Sequence, residues 1–504
     1  MTRWTPIAAA AMALALLAGG GAAAQTLRFG IASDPDALDP TLSRTVAGRQ
    51  VFAALCDKLI DIDEKLDLKP QLATAWSWSA DGLTLSLTLR PGVVFHDGVK
   101  MDAAAVKISL DRHLTLQGST RRSEMGPVRE VEAVGADTVR VHLKEPFAPL
   151  VAALADRAGM IMSPRALAEL GDKFGNNPVC AGPFRFVRRI ALDRMDLERF
   201  PGYWDAANVH IEKIAYLPIP DNTVRLTNLR AGSLDLVERV LPSDVSQLKG
   251  DARLGLASGP SLAATYISFN IANGPRADTP INKKAMLREA LDLSIDREAL
   301  VLVLSDGAYV PGNQSVARGT PFYANAIPVP KRDVAKARKL VKEAGFDRVK
   351  LQMSVPNTTE FKQAAEILQG MVGEAGFDME LRLFETATLL RDWTAGDFES
   401  LLILWSGRVD IDGNIYSFKA CDGNLNGGKY CSAEVDRLLK EGRVKVDLAA
   451  RQAAYEAAAK LYLADRPYIY LYHPTNIFGF TARLSGLRVI PDGLIRVQGL
   501  KLKP

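Results

Sequence analysis

The stretch LQMSVPNTTEFKQAAEILQGMVGEAGFDMELRLF, residues 351–384, indicates the fold class of this chain. Leu351 to Val355 is a short apolar segment typical of a buried strand. Residues 361–375 repeat apolar side chains at helical spacing, and Gly376 ends that pattern. Met379 to Phe384 then forms a second strand pattern. A strand, a helix and a strand in close succession predict a mixed α/β unit.

The same mixture continues on both sides of this stretch. Helices are predicted over residues 48–60, 103–114, 283–304 and 335–344, and strands over 26–31, 83–89, 139–143, 184–190, 195–200, 401–404 and 468–473. The strictly alternating strands fall in the first half of the chain. We therefore predict two mixed α/β lobes with a more β-rich insertion between about residues 69 and 180.

Composition describes an ordinary globular chain. Of 504 residues, 48% are hydrophobic and 24% charged, which suggests two to four domains of about 100–200 residues each. The formal charge of +4 is small for this length. Since no basic run is interleaved with aromatic residues, nucleic acid is not an expected partner.

Residues 1–24 have the pattern of a cleavable signal peptide. Arg3 supplies the positive end, residues 7–17 are apolar, and three alanines precede Gln25 at a small-residue cleavage site. The apolar part is shorter than the roughly 20 residues that a membrane-spanning helix needs. No later segment is long and apolar enough to cross a membrane. We expect export to the periplasm.

The four cysteines suggest disulfides, because an exported protein meets an oxidising compartment. Cys421 and Cys431 bracket a stretch without periodicity, where a bridge would stabilise the fold by about 2–3 kcal/mol. Cys56 and Cys180 either pair or remain buried thiols. No Cys/His spacing resembles a zinc site and the five histidines do not cluster, so neither a metal nor a cofactor is expected.

Catalytic motifs are not found in the sequence. It has no nucleophile elbow, His-Glu-x-x-His pair, phosphate-binding loop or dinucleotide fingerprint. Asp410 and Asp412 form a possible carboxylate pair, but no partners for them can be identified. An exported hydrolase is therefore only a remote alternative.

Residues 405–414, WSGRVDIDGN, follow the predicted strand 401–404. Binding groups are often found in loops at strand ends, although Gly and Asp are also ordinary residues of solvated turns. An aromatic ring, a hydroxyl, a guanidinium and two carboxylates within this loop make it the first candidate for a site.

Several segments, taken in order, resemble one family. They are DALDP (36–40), FAALCDKLI (52–60), PQLATAW (70–76), LRPGVVFHDG (89–98), AGPF (181–184), RFPGYW (199–204) and ALDLSIDR (290–297). Together they resemble the large solute-binding proteins of peptide and nickel ABC importers, extracytoplasmic solute-binding family 5, over nearly the whole mature chain.

The resemblance implies a two-lobe periplasmic-binding-protein fold with a hinge and an extra β-rich domain. Lobe I would comprise residues 25–68, 181–269 and 481–504, the inserted domain residues 69–180, and lobe II residues 270–480. Such proteins close on a ligand that contacts both lobes, and then dock on a membrane permease. We expect a monomer that works without a cofactor.

The family's Trp-[Ser/Thr]-Gly loop lines the ligand cavity, and the resemblance assigns that place to Trp405, Ser406 and Gly407. In dipeptide binders of the family the next residue is an aspartate that accepts the peptide ammonium; here it is Arg408. The stretch 355–360, where those binders carry a carboxylate-binding arginine, contains Asn357 and no arginine. The site is therefore not a standard clamp for a free dipeptide.

Arg408 has two alternative roles. A buried ammonium facing this guanidinium would cost several kcal/mol. Arg408 therefore either binds an anionic group of the ligand or pairs internally with Asp410 or Asp412. Asp410 could also replace the missing amine acceptor.

Further candidates come from the resemblance. Ser33 and Asp34 follow the first strand, at the border of the cleft, while Tyr266 and Asn270 lie where the chain crosses between lobes. Tyr266 fits the core equally well, and Trp393 fits helix packing. The predicted function is the substrate-binding subunit of an ABC importer for a short peptide or a modified, anionic peptide, glutathione-like molecules included. The alternative ligands are a metal chelate, an opine or a sugar.

Overall fold

The computed structural model describes residues 25–318 and 320–503, so the predicted signal peptide, 1–24, lies outside the described residues. The strands in the described part are β1 (Thr26–Ile31), β2 (Ile60–Ile62), β3 (Leu68–Pro70), β4 (Ala73–Trp78), β5 (Thr84–Leu89), β6 (Val128–Val134), β7 (Thr138–Leu143), β8 (Phe184–Ile190), β9 (Arg194–Arg199), β10 (Lys213–Pro218), β11 (Leu236–Val237), β12 (Leu254–Gly259), β13 (Ala264–Phe269), β14 (Val310–Pro311), β15 (Val349–Pro356), β16 (Phe377–Phe384), β17 (Ser400–Trp405), β18 (Tyr468–His473), β19 (Asn476–Thr481), β20 (Leu484–Ser485) and β21 (Lys501–Leu502).

The α-helices in the same residues are α1 (Val46–Leu55), α2 (Ala103–Thr115), α3 (Arg121–Met125), α4 (Leu150–Ala153), α5 (Pro164–Leu170), α6 (Asn222–Arg230), α7 (Val245–Lys249), α8 (Pro280–Lys283), α9 (Ala285–Ser294), α10 (Arg297–Ser305), α11 (Val334–Glu343), α12 (Thr359–Gly373), α13 (Thr386–Ala395), α14 (Asp412–Lys419), α15 (Ala433–Val444) and α16 (Leu448–Asp465). Within residues 25–318 and 320–503, every helix is too short or too polar to span a membrane.

The first large sheet has seven strands in the order β12-β19-β11-β1-β10-β9-β8. β1 is its centre and pairs in parallel with both β10 and β11. Leu27, Phe29 and Ile31 alternate into a buried core with α1, which explains why the alternating sequence of β1 forms a strand here.

The second large sheet has six strands in the order β14-β18-β13-β17-β15-β16. β15 and β16 are parallel from Val349 opposite Phe377 to Pro356 opposite Phe384, and α12 connects them. This is the strand–helix–strand unit predicted from residues 351–384, and the mixed α/β fold class is confirmed. Both faces of the sheet are covered, because Tyr266 packs into one core and Ile267 into another.

A smaller antiparallel sheet, β4-β5-β7-β6, packs against α2. Its inward residues, among them Leu85, Leu87, Val139 and Val141, form a core of their own. This is the β-rich insertion that the alternating segments predicted.

Two predicted helices differ from the observed ones. The helix predicted over 48–60 is α1, which ends at Leu55, and Ile60 already belongs to β2. The predicted helix 283–304 is two helices, α9 and α10, because Ile295 is extended and the Asp296 carboxylate accepts a hydrogen bond from Ala299 N at 2.9 Å, which starts a new helix. Sheet membership places β13 in the second large sheet and β19 in the first.

All four cysteines form disulfides. Cys421 is bonded to Cys431, and Cys56 is bonded to Cys180, which resolves the alternative left open for the second pair. The Cys56–Cys180 bond joins the end of α1 to the segment where the chain returns from the inserted domain.

Candidate functional site

The main cavity lies between the two large sheets, and residues from both sides of the molecule line it. It encloses about 900 Å³ including the part open to solvent. Its aromatic and apolar wall is formed by Tyr266, Phe361, Leu390, Trp393, Ile403, Leu404, Trp405, Phe418 and Leu425. Its polar wall is dominated by Arg44, Arg121, Arg157, Arg239 and Arg408. No Asp or Glu is among the described residues that line it.

The loop after β17 is shaped by Asn414. The Asn414 side-chain oxygen accepts hydrogen bonds from Trp405 Nε1 at 2.8 Å and from the Arg408 backbone N–H at 2.7 Å. Its amide nitrogen donates to Arg408 O at 3.0 Å. Gly407 has a φ of 77°, and a Cβ there would lie 2.3 Å from Leu262 O, so the position requires glycine. These contacts place Trp405, Ser406 and Arg408 on the cavity wall.

Arg408 pairs with carboxylates of the inserted domain. Its guanidinium lies 3.3 Å from Glu124 and 3.3 Å from Asp156, and it stacks over the Trp405 ring at 4.3 Å. The expected pairing with Asp410 or Asp412 is therefore not found, although Arg408 does line the cavity. One residue thus joins the second large sheet to the inserted domain at the ligand cavity.

Around Arg408 is a buried group that we call the arginine wall: Arg49, Arg121, Arg157 and Arg408, with the carboxylates Glu124 and Asp156. Arg49 pairs with Asp156 at 2.7 Å and donates to Ser406 Oγ at 2.9 Å. Burial lowers the pKa of the guanidinium groups of Arg49, Arg121 and Arg157. Burial opposes ionisation of Asp156 as well, but Arg408 and Arg49 hold its pKa well below the usual range.

A side chamber adjoins the main cavity. It shares Val46, Arg239, Leu404 and Ser406 with the main cavity, and its own acidic lining residues are Glu238, Glu360 and Asp492. Arg239 lines both cavities, and its guanidinium lies 3.2 Å from the Glu360 carboxylate. The arginines therefore gather in the main cavity and the carboxylates in the side chamber.

Of the residues predicted from sequence, the structure brings five to the main cavity: Ser33, Tyr266, Trp405, Ser406 and Arg408. Tyr266 lines the cavity and also belongs to the core, where it is buried against Tyr468 and Tyr470. Trp393, expected to pack, also reaches the wall.

The other predicted residues lie away from the main cavity, each for a visible reason. Asp410 forms a bidentate pair with Arg451, at 2.7 and 2.9 Å, and so is not available to replace the amine acceptor. Asp412 pairs with Arg443 at 3.0 Å, and burial raises the pKa of its carboxyl to about 6. Both line a small cavity behind the loop with Glu124.

Two further candidates, Asp34 and Asn270, have structural partners, and Asn357 and Gly407 do not line the cavity. Asp34 pairs with Arg189 at 2.6 Å. The Asn270 side chain is fully buried and donates to the carbonyls of Gly396 and Phe398 at 3.0 and 2.9 Å. Asn357 is exposed, whereas its neighbours Pro356 and Thr358 line the cavity. Gly407 supports the loop without lining the cavity.

Sequence reasoning missed Arg44, Arg121, Arg157 and Arg239. These arginines come from separate elements, and none lies in a motif that would single it out. The nearest signal was Arg408, which stands where the dipeptide binders of the family carry an aspartate. Among the described residues, no group of three or more His, Cys, Asp or Glu side chains has an arrangement that could hold a metal ion.

A cavity between two α/β sheets, closed over by contacts from both, is the arrangement of a two-lobed ligand-binding protein. The model of the bacterial extracellular solute-binding proteins, family 5 Middle, matches residues 67–426, and this chain belongs to that family. Membership places the protein outside the cytoplasm and among substrate-binding proteins.

Similar proteins agree with this assignment. Glutathione-binding protein GsiB of Pectobacterium atrosepticum is 28% identical over 518 residues, covering 99% of this chain and 98% of the relative. The periplasmic binding protein DppA from Helicobacter pylori, solved with the peptide STSA, has a TM-score of 0.86 at 23% identity and covers 95% of this chain and 98% of its own. The dipeptide binding protein from Pseudoalteromonas sp. SM9913, solved with Met-Leu, has a TM-score of 0.88 at 21% identity. The match covers 95% of this chain and 100% of that protein.

Proposed function

We propose that the main cavity captures a short peptide or modified peptide with an anionic group, as the substrate-binding subunit of an ABC importer. The observation that carries this proposal is the lining itself, which contains five arginines and, among its described residues, no carboxylate. Arginine is suited to planar carboxylate groups, because its fork of donors matches their geometry. The apolar and aromatic wall would hold the rest of the ligand.

The side chamber suggests how a peptide would be oriented. A ligand with a free ammonium group would be repelled by the arginines of the main cavity and attracted by Glu238 and Glu360. Because the two cavities share Ser406 and Leu404, one molecule can extend from one into the other. The name of the relative GsiB, a glutathione-binding protein, supports a small anionic peptide.

We propose further that the two large sheets are the cores of two lobes that close on this ligand about a hinge. Contacts between the two sides support this. Arg49 donates to Ser406, Arg44 donates to Thr394 at 2.7 Å, and Arg239 pairs with Glu360. A ligand that touches both sides would favour the closed form. Residues 1–24 would direct export to the periplasm, where the closed protein would dock as a monomer on a membrane permease.

Calorimetric titration with matched peptides tests the anionic preference. In a pair of peptides that differ only by Glu or Gln at one position, the Glu peptide should bind more tightly. Arg408→Lys should reduce that preference at least about tenfold, which is about 1.4 kcal/mol, because lysine lacks the two-pronged donor.

The matched control is Arg451→Lys, which alters a buried, carboxylate-paired arginine that supports the same loop outside the main cavity. It should leave the Glu preference unchanged. Equal affinities in the wild type both for Glu and Gln peptides and for peptides with a free and an amidated C-terminus would contradict an anionic ligand. Mass spectrometry of ligand released from the protein purified from native cells would separate a peptide from a metal chelate, an opine or a sugar, and a product in the binding assay would reveal a hydrolase.

A further inference from the structure

We propose that the ligand presents two negative charges at one end, and that this doubly charged end contacts the arginine wall. The inference rests on the proposed function and narrows its ligand to one class: molecules with a pair of carboxylates, or one doubly ionised acid group, at a single terminus.

The charge balance of the arginine wall carries this inference. Four guanidinium groups face two carboxylates, Glu124 and Asp156. The side chains of Arg121 and Arg157 are 1% exposed, that of Arg49 3% and that of Arg408 8%. Each arginine has a carboxylate neighbour, but the four share only two carboxylates, so the group keeps an excess of two positive charges in a place that water reaches poorly, where uncompensated charge is costly.

Nearby carboxylates do not restore the balance, since each already has a positive partner or a full set of donors. Asp492 is bound by Arg496 through both oxygens, at 2.8 and 2.9 Å. Asp39 forms a two-point pair with Arg112, at 2.9 and 2.7 Å. Asp36 accepts from Ser43, Arg44 and Thr45 within its own turn.

The hydrogen bonds of the arginine wall are incomplete as well. Among the residues that the structure describes, the buried Nε–H groups of Arg49 and Arg157 have no hydrogen-bond acceptor, and Arg408 Nε has only an ion-pair contact, 3.3 Å from Asp156 Oδ2. Arg121 and Arg157 both donate to the same carbonyl, Ser43 O, at 3.5 and 2.7 Å. Free donors and excess charge occur together, and oxygen atoms of an anion would satisfy both.

The position of the arginine wall explains why the charges would sit on one end of the ligand. Arg49 comes from α1, Arg121 and Arg157 from the inserted domain, and Arg408 from the loop after β17. Arg121, Arg157 and Arg408 line the main cavity, and Arg49 adjoins them through Asp156 and Ser406, whereas the acidic side chamber lies next to Arg239. Closure adds Arg408 to the three arginines and two carboxylates of the other side and raises the excess charge of the group from one to two, so a doubly charged terminus favours closure more than a singly charged one.

The experiment is calorimetric titration of the full mature protein with tripeptides of graded end charge. Ala-Ala-Glu carries two carboxylates at its C-terminus, Ala-Ala-Gln carries one, and amidated Ala-Ala-Gln carries none. Glu-Ala-Ala is the positional control, because its extra carboxylate lies at the other end. Amidated Ala-Ala-phosphoserine carries both charges on one group and so distinguishes a phosphoryl end from paired carboxylates. We expect at least a tenfold loss of affinity at each step from two charges to none.

Two pairs of variants should change the ratio of Ala-Ala-Glu to Ala-Ala-Gln affinity in opposite directions. Glu124→Gln or Asp156→Asn raises the excess positive charge of the arginine wall and should widen the ratio of Ala-Ala-Glu to Ala-Ala-Gln affinity at least threefold. Arg408→Gln or Arg157→Gln should narrow that ratio by a similar factor. Circular dichroism and thermal unfolding identify any variant that fails to fold, and the second member of each pair then replaces it.

The outcomes separate this inference from the proposed function. If Ala-Ala-Glu and Ala-Ala-Gln bind the wild type equally well, the doubly charged end is wrong while peptide binding stands. If Glu-Ala-Ala gains as much as Ala-Ala-Glu, net charge rather than a charged end is recognised, and the inference fails. If no peptide of the panel binds, the proposed peptide function fails as well.

Discussion

Arg408 contacts the loop that carries it, the inserted domain and the main cavity at the same time. Its place on the cavity wall could be predicted from the sequence, because it follows a strand end and a Trp-Ser-Gly segment. Its partners could not, since Glu124 and Asp156 lie hundreds of positions away and carry no local pattern. Asp410 and Asp412, which share the loop, are instead held by Arg451 and Arg443. Proximity in sequence was a poor guide to ion pairing here.

Asp57 is the residue for which a pH dependence of stability is clearest. Its buried carboxylate accepts hydrogen bonds from Gln71, Tyr203 and Trp204, at 3.0, 2.9 and 2.7 Å. Burial raises the pKa of this carboxyl to about 7. Since the folded pKa exceeds the unfolded value of about 3.9, this group favours the folded state below about pH 4, and that contribution is lost as the pH rises to about 7.

We expect Asp57→Asn to remove this dependence. Urea denaturation of both proteins between about pH 4 and 8 should show the unfolding free energy of the wild type falling relative to that of the variant between about pH 4 and 7 and levelling off above about 7. Parallel curves across that range would show that Asp57 titrates normally in the folded protein.

At the scale of elements, strand–helix–strand order was readable because periodicity is local. Residues 351–384 fold as β15, α12 and β16, close to the predicted bounds. The break between α9 and α10 was missed because the apolar spacing continues through it, although Asp296 is a good N-cap residue. The arginine wall lay beyond prediction because α1, α3, the turn at Arg157–Gly159 and the β17 loop meet only in the folded chain.

The loop between Cys421 and Cys431 is an element held by its disulfide. It presents Leu425 to the main cavity, and Asn424 donates to Thr120 O of the inserted domain at 3.2 Å. Cys421→Ser with Cys431→Ser should lower the free energy of unfolding by about 2–3 kcal/mol, because the short loop gains freedom in the unfolded chain. Ligand affinity should fall as well, since a wall of the cavity loosens.

Chemical denaturation measures the first effect and calorimetry the second. The matched comparison is Cys56→Ser with Cys180→Ser, whose sequence separation of 124 predicts a larger loss, about 5 kcal/mol. Unchanged ligand affinity in the Cys421/Cys431 variant would show that the loop keeps its position without the bond.

At the scale of the molecule, the inserted domain and the second large sheet meet at α3 and α14. Ser123 Oγ lies 3.2 Å from Ser417 Oγ, and Arg443 donates to Ser123 O at 3.2 Å. If the protein works by closing on its ligand, opening must separate these groups. A covalent link between positions 123 and 417 would then hold the cleft shut.

The double variant Ser123→Cys with Ser417→Cys tests this motion. Once oxidised without ligand, it should bind ligand at least tenfold more slowly than either single variant, because entry requires opening. Stopped-flow fluorescence follows the association rate, and peptide mass spectrometry verifies the new bond and the two native ones. An unchanged association rate in the linked protein would mean that ligand enters without separation of the two sides.

The strand order of the first large sheet has a consequence for how the protein is made. β19, near the C-terminus, lies between β12 and β11, while β1 at the N-terminus lies on the other side of β11. A chain synthesised from its N-terminus therefore cannot complete this sheet until residues 476–481 have emerged, after the inserted domain and the whole second sheet. Until then the first large sheet lacks the strand that joins β12 to β11, and we expect its open strand edges to make the incomplete chain prone to aggregation.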